Sequence, residues 1–332
     1  MDNSPGRLAR VYPVQTLPPE ILAEIFVNFL PPYPEFPPLS GLLSPLLLCR
    51  ICQQWRTIAL STPALWSSIR ITAALGESNS QEVRKFEILT TWLARSRNCP
   101  LSLSLSGACH SQLMPDLLQA IQLHRERWEY LDVLIDMEDI YSMHWQDEMP
   151  LLRHITFGPD GFYPGATEPP PTLFEHAPLL TSVVLDVNFL TDCMRLPWGN
   201  LTHLEAQCFY EHECTDVLRD ATKLVYCKLS VTPDDLDEDA GSAVPVHLHL
   251  RDLILRPKNH NVWQWEILDN LTLPALRTLQ VAQPNTTLDS LQAFLLRSQC
   301  ALEELRITGA TTTESVFREA LPKVGTIKLE GV

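Results

Sequence analysis

Pro274–Val281, PALRTLQV, sets the pattern from which the rest of this chain can be read. Counting from Leu276, apolar side chains fall at the first, fourth and sixth positions, and polar Thr278 and Gln280 alternate with the last two. A period of two puts Leu279 and Val281 on one face of a short strand and Thr278 and Gln280 on the other. The same string returns as LRHITF, LTSVVL, LTHLEA, LRDLIL, LEELRI and VGTIKL. Its anchors are Trp128, Leu152, Leu180, Leu201, Leu224, Leu250, Leu276, Leu302 and Val324, spaced 21 to 28 residues apart. In a chain that is 45% apolar such spacing alone arises often by chance. Proline supplies the second mark: it stands two residues before the anchor at Pro150, Pro178, Pro274 and Pro322, where 27 prolines in 332 residues would place fewer than one.

A strand recurring at this period resembles leucine-rich repeats, in which no turn can bury its apolar residues alone and stacking encloses a continuous core. The resemblance implies an α/β fold: an irregular solenoid with a parallel concave sheet, preceded by a small all-α module. The pairs Ile155 and Phe157, Val183 and Leu185, Leu253 and Leu255, Leu279 and Val281, and Leu305 and Ile307 are expected in its core. The asparagine that the family carries after the strand occurs here only as Asn188, with Asp160 as a stand-in; elsewhere Phe209, Thr232, Lys258, Pro284 and Ala310 hold that position. Buried amides at those turns need other partners, so irregular repeats are expected.

Upstream of Trp128, Gln81–Arg97 has helical spacing, Leu101–Leu105 alternates as a strand, and LMPDLLQAIQLH from Leu113 reads as a second helix. This order suits a first, atypical turn. The expected divisions are a flexible N-terminus over 1–16, a helical module over 17–70, a capping region over 71–127 and repeats over 128–332.

Leu17–Trp66 is the greasiest part of the chain, with 27 apolar residues in 50 and only five charges. So small a unit hides a modest share of its surface, and the remaining apolar area must face the repeats or a partner. Pro18 keeps Leu17 out of helical geometry, while Pro19 suits a first helical position with Glu20 at the positive end of the dipole. Ile21, Leu22, Ile25, Phe26 and Phe29 then form a stripe too wide for one seam, so one edge can pack inward while the other meets a partner. Residues 31–45 contain six prolines and read as a stiff surface loop. Helical spacing resumes at Leu48, Ile51, Cys52, Trp55 and Ala59, which predicts one helix.

LPPEILAEIF, CRICQQWRTIA and the closing LW together resemble an F-box, the helical module of ubiquitin-ligase substrate receptors, in the form found among fungal F-box-like proteins. The resemblance implies that Leu17, Pro18, Ile21, Leu22, Ile25, Phe26, Leu48, Ile51 and Trp55 contact a Skp-type adaptor and, through it, a cullin-RING ligase. The proline-rich insertion departs from a compact F-box and leaves its loop contacts open.

If the apolar strand positions face inward, the alternate ones face the concave surface: His154 and Thr156, Val184 and Asp186, His203 and Glu205, Tyr226 and Lys228, Asp252 and Arg256, Thr278 and Gln280, Glu304 and Arg306, Thr326 and Lys328. That surface is polar, mixed in charge and suited to reading an unknown substrate protein. Phe162 and Tyr163, in the Gly/Pro-rich loop Gly158–Pro171, either pack on the repeats or anchor a partner; the acidic run Asp234–Asp239 reads as a solvated loop or as a basic-patch contact.

No P-loop, dinucleotide fingerprint, nucleophile elbow or HExxH motif occurs, so an enzyme is not expected and no cofactor is implied. Cys49 and Cys52 form a CxxC in an apolar helix with no second pair at zinc-finger spacing, which favours core packing over zinc. His203, Cys208, His212 and Cys214 could hold a metal, but strand alternation would scatter them. Nine cysteines without a disulfide framework fit free thiols in a reducing compartment. A net charge of −15 disfavours nucleic acid and anionic membranes as partners. No signal peptide or apolar run of spanning length is evident, so a cytoplasmic or nuclear protein is expected. The functional expectation is the substrate-recognition subunit of a Skp–cullin–F-box ligase. Two alternatives stand beside it: a non-ligase scaffold whose helical segment packs internally, and a metal enzyme built on His203–Cys214.

Overall fold

The prolines of the repeat mark a turn. A computed structural model describes residues 13–74, 76–107, 113–135, 145, 147–159, 174, 176–185, 196–232, 246–258, 263–283 and 285–331. In it the N–H of Leu152 closes onto the carbonyl of Met149, Leu180 onto Ala177, Leu276 onto Leu273 and Val324 onto Leu321, at 3.1–3.2 Å. Each proline takes the second position of its turn, where a fixed φ is pre-set and no N–H is needed. Leu201 and Leu224 close the same turn onto Trp198 and Ala221 without proline.

Among the described residues eleven strands result: β1 (Ser68–Ala73), β2 (Leu101–Gly107), β3 (Trp128–Ile135), β4 (His154–Pro159), β5 (Ser182–Leu185), β6 (His203–Tyr210), β7 (Tyr226–Thr232), β8 (Asp252–Pro257), β9 (Thr278–Ala282), β10 (Glu304–Thr308) and β11 (Thr326–Glu330). From β4 onward every strand begins two residues after its anchor. All pair in parallel and in strict chain order, β1 to β11. Just ahead of the strands the backbone forms its own ladder, Thr202 N–H to Thr181, Val225 to Thr202, Arg251 to Val225, Arg277 to Arg251 and Glu303 to Arg277, each at 2.8 Å.

Eight α-helices are described: α1 (Pro19–Val27), α2 (Pro45–Ile51), α3 (Gln53–Ser61), α4 (Asn79–Arg95), α5 (Leu113–Gln122), α6 (Glu211–Asp220), α7 (Leu288–Ser298) and α8 (Glu314–Ala320). The last five lie in crossovers, which parallel strands require. The fold is therefore mixed α/β.

Register aligns Ile69, Leu103, Leu131, Ile155, Val183, Leu204, Cys227, Leu253, Leu279, Leu305 and Ile327 in one row across the sheet. None is more than 4% exposed, and burying each aliphatic side chain contributes about 1.5–3 kcal/mol. All five expected core pairs are buried, as are all nine anchors. Burial pushes the Cys227 thiol up to about 12, as suits a core residue. Cys49, Cys52, Cys99, Cys214, Cys227 and Cys300 are free thiols. Among the described residues no helix is long and apolar enough to cross a membrane.

At four points the structure refines or corrects the expectations. The sheet starts at Ser68, so the expected division at residue 70 falls inside β1, whose Ile69, Ile71 and Ala73 already alternate into the core, while α4, β2 and α5 stand where a helix, a strand and a helix were expected. Pro13–Thr16, at the end of the segment expected to be flexible, form a 3-10 turn, and residues 1–12 lie outside the described residues. The single helix through Leu48–Ala59 is two, because Cys52 is extended and its sulfur accepts the Trp55 N–H at 3.4 Å, capping α3. That break turns Leu48 and Ala59 inward and leaves Ile51 half exposed. Finally, the turn after β9 does hold an asparagine, one place later than expected: buried Asn285 donates Nδ2 to the Trp263 carbonyl at 2.9 Å, and its own carbonyl accepts the Trp265 N–H. Asp160, Phe162, Tyr163, Asp186, Asn188, Asp234–Asp239 and Pro284 lie outside the described residues, as does the side chain of Cys208.

Candidate functional site

Two surfaces carry the expected site residues. The first is the helical module. Leu22 and Phe26 of α1 are buried, and Phe26 meets the half-buried Trp55 of α3 with ring centroids 4.8 Å apart. On the other edge Ile21 and Ile25, one turn apart, are 50% and 48% exposed. Trp66 ties α3 to α4, donating its indole N–H to the Ala59 carbonyl at 2.9 Å and packing edge-on against Trp92. Of the expected adaptor contacts, Leu22, Phe26 and Leu48 are corrected to core residues, because they are spent on holding α1, α2 and α3 together. Ile21, Ile25, Ile51, Pro18 and parts of Leu17 and Trp55 remain accessible. Leu42 and Leu43, ahead of α2, are more exposed still and were absent from the expected contacts. Of fifteen large apolar residues exposed among the described ones, six fall between Leu17 and Trp66, so exposure concentrates where the composition placed it.

The second surface is the sheet face opposite the core. Register sets one row as Ser102, Tyr130, His154, Ser182, His203, Tyr226, Asp252, Thr278, Glu304 and Thr326, and the next as Arg70, Ser104, Asp132, Thr156, Val184, Glu205, Lys228, Ile254, Gln280, Arg306 and Lys328. All the described residues expected on this face lie there. Most are already engaged with neighbours: Glu205 accepts from Lys228 at 2.8 Å and from the Tyr226 hydroxyl at 3.3 Å, and Glu304 pairs with Arg306 and Lys328, both at 2.7 Å. Those two partners hold the Glu304 carboxyl below its usual range. Gln280 is corrected from a contact residue to a buried one, 3% exposed, with Arg256 Nη2 3.5 Å from its oxygen.

Tyr130, Asp132, Arg70 and Ser104 were missed, although WEYLDVLI alternates as clearly as the later strands. They matter because the proline-rich segment, read as a surface loop, crosses this face. Tyr33 stacks on Tyr130 at 4.3 Å and 23°, lies 5.2 Å from the His154 ring, and donates its hydroxyl to Asp132 at 3.1 Å. Phe36 covers the Arg70 guanidinium, 4.5 Å from the ring centroid, while Arg70 Nε bonds Ser104. His154 shares hydrogen bonds with Ser182 at 2.8 Å and Thr156 at 3.1 Å. Burial lowers its pKa from 6.5 to about 4. The imidazole is thus neutral at pH 7, and its 4.0 Å separation from Asp132 is not an ion pair. Burial also pushes the Asp132 carboxyl and the Tyr33 phenol up, although the Thr156 and Tyr33 hydroxyls favour the Asp132 carboxylate.

His203 stands on this polar face and stacks with Tyr226 at 6.1 Å, whereas Cys214 is buried in α6. Among the described residues no group of three metal-ligating side chains comes together. A cleft of about 560 Å³ between α7 and α8, lined by Leu295, Leu296, Ala320, Leu321 and Lys323, includes no residue of the polar face. Compared with known proteins, the chain matches no family model and no curated sequence.

Proposed function

We propose that this chain is the substrate receptor of a Skp–cullin–F-box ubiquitin ligase, in which residues 17–66 form an F-box-like module and the sheet with its crossovers forms an irregular leucine-rich-repeat solenoid. The observation that carries the reading is the two-sidedness of α1: Leu22 and Phe26 close the monomer while Ile21 and Ile25 stay half exposed one turn apart. Isolated exposed aliphatics are ordinary on protein surfaces; their concentration with Leu42, Leu43 and Ile51 in a module resembling an F-box favours an adaptor. The adaptor contacts in this reading are Ile21, Ile25, Ile51, Leu17, Pro18 and the accessible part of Trp55. The polar sheet face, with its paired charges and aromatic rings, presents a target protein. The receptor performs no chemistry itself: it raises the local concentration of a target beside a charged conjugating enzyme, so rate comes from proximity. Cytoplasm and nucleus are the compartments in which such a ligase operates. Mixing the purified chain with a Skp-type adaptor and measuring the mass of the eluting species tests the reading; a stoichiometric complex is expected, and two unassociated monomers would refute it.

A further inference from the structure

The most informative feature beyond the exposed edge of α1 is the segment Tyr33-Pro34-Glu35-Phe36, which runs from the helical module across the polar face. A proline-rich stretch of such composition has no need to cover a sheet; six prolines and few core-forming positions suit a solvated connection. Instead Tyr33 is received by a shaped set of groups from β3 and β4. Tyr130 offers a ring to stack on, His154 and Thr156 stand beside it, and Asp132 offers an acceptor at the end of the phenol. Three residues on, Phe36 takes the Arg70 guanidinium of β1 as a cation partner. The side chains of His154 and Asp132 are 13% and 16% exposed with the segment in place, so little of them is left for any other ligand.

We propose that residues 33–36 are a tethered occupant of a tyrosine-recognition site on the polar face, and that the site's partner is a protein segment presenting an unmodified tyrosine followed by proline, with a second aromatic ring three residues after the first. This assignment rests on the polar face being a recognition surface and not on the adaptor. The chemistry selects the partner. An acceptor carboxylate rewards a phenol hydroxyl, gives nothing to phenylalanine and repels a phosphotyrosine dianion. A partner must displace the strap, so its apparent affinity is reduced by the fraction of molecules in which the strap is seated.

The test uses the full chain and a fluorescent peptide with the sequence of residues 31–40, PPYPEFPPLS, followed by anisotropy. A Tyr33→Ala/Phe36→Ala protein, which leaves every sheet residue in place, is expected to bind the peptide about ten- to a hundredfold tighter than the native chain does. Replacing the peptide's tyrosine by phenylalanine should weaken binding about tenfold, the worth of one hydrogen bond to a charged acceptor, and phosphotyrosine should abolish it. Equal binding to native and double-variant proteins, no binding to either, or undiminished binding of the phosphotyrosine peptide would each overturn the assignment. Should the double variant not fold, Tyr33→Phe removes the hydroxyl alone; the peptide must then bind that variant tighter than the native chain, and no gain overturns the proposal. Failure of the native chain to bind a Skp-type adaptor would refute the ligase reading while leaving the peptide result standing.

Discussion

Replacing Leu22 by alanine and replacing Ile21 and Ile25 together by aspartate should break different things, although all three residues occupy two turns of α1. Leu22 is fully buried against the module's core, and a buried Leu→Ala change leaves a cavity costing about 2–5 kcal/mol. Ile21 and Ile25 keep half their surface in water, so the aspartates should alter stability by no more than about 0.5 kcal/mol each. Docking is another matter. Burying the exposed half of an isoleucine contributes about 1 kcal/mol, so losing both forfeits about 2 kcal/mol, or about 30-fold in affinity, before the cost of desolvating two carboxylates. Urea unfolding measures the first quantity and titration calorimetry against a Skp-type adaptor the second. Leu22→Ala should lower stability with adaptor affinity retained under native conditions, and Ile21→Asp/Ile25→Asp should do the reverse. An unchanged affinity in the aspartate pair would refute the assignment of the outer edge of α1 to the adaptor.

Three further outcomes follow from other parts of the structure. His154 stays neutral in the folded chain down to about pH 4 but takes a proton near 6.5 when unfolded, so the unfolded state binds more protons in that window and stability falls on acidification by about 1–3 kcal/mol; Asp132, pushed up by burial, acts in the opposite sense. Comparing urea midpoints of the native chain and His154→Gln between pH 7 and pH 4.5 isolates the histidine, and equal slopes would refute its role. Gly325→Ala would bring a Cβ within 2.6 Å of the Glu303 carbonyl oxygen, a backbone atom that cannot swing aside; a loss of about 1–3 kcal/mol in thermal unfolding is expected. Cys52→Ser should hold or raise stability because a hydroxyl caps a helix better than a thiol, whereas Cys52→Ala should lower it by about 0.5–1 kcal/mol; the opposite order would show that Cys52 serves something other than the cap.

How much could be read from the residues alone varied by element. The strands from Trp128 onward were legible because each carries its own turn proline or anchor and its own alternation, all local. The sheet's beginning at Ser68 was missed although Pro63 and Leu65 make the repeated turn, the Leu65 N–H closing onto the Thr62 carbonyl at 3.2 Å, because β1 starts three residues after Leu65 instead of two and that stretch was read as the close of the helical module. The break at Cys52 was illegible from helical spacing, because periodicity reports which residues share a face and is silent on whether the backbone stays continuous between them. On the polar face, alternation assigned the right side of each strand and failed on the burial of Gln280, whose oxygen the Arg256 side chain reaches from the neighbouring strand.

By itself the order of residues determined what is periodic: the anchor and proline of each repeat, the inward positions from Ile155 to Ile307, the greasy opening helices. Those follow from φ restriction and side-chain alternation, which act over a few residues. Only the tertiary structure decided which edge of α1 is spent on the core, and that Tyr33 lies ninety-nine residues along the chain from the carboxylate that accepts its hydrogen bond. Contacts of that separation depend on how eleven strands stack, and no local pattern encodes where a loop comes to rest on the finished sheet.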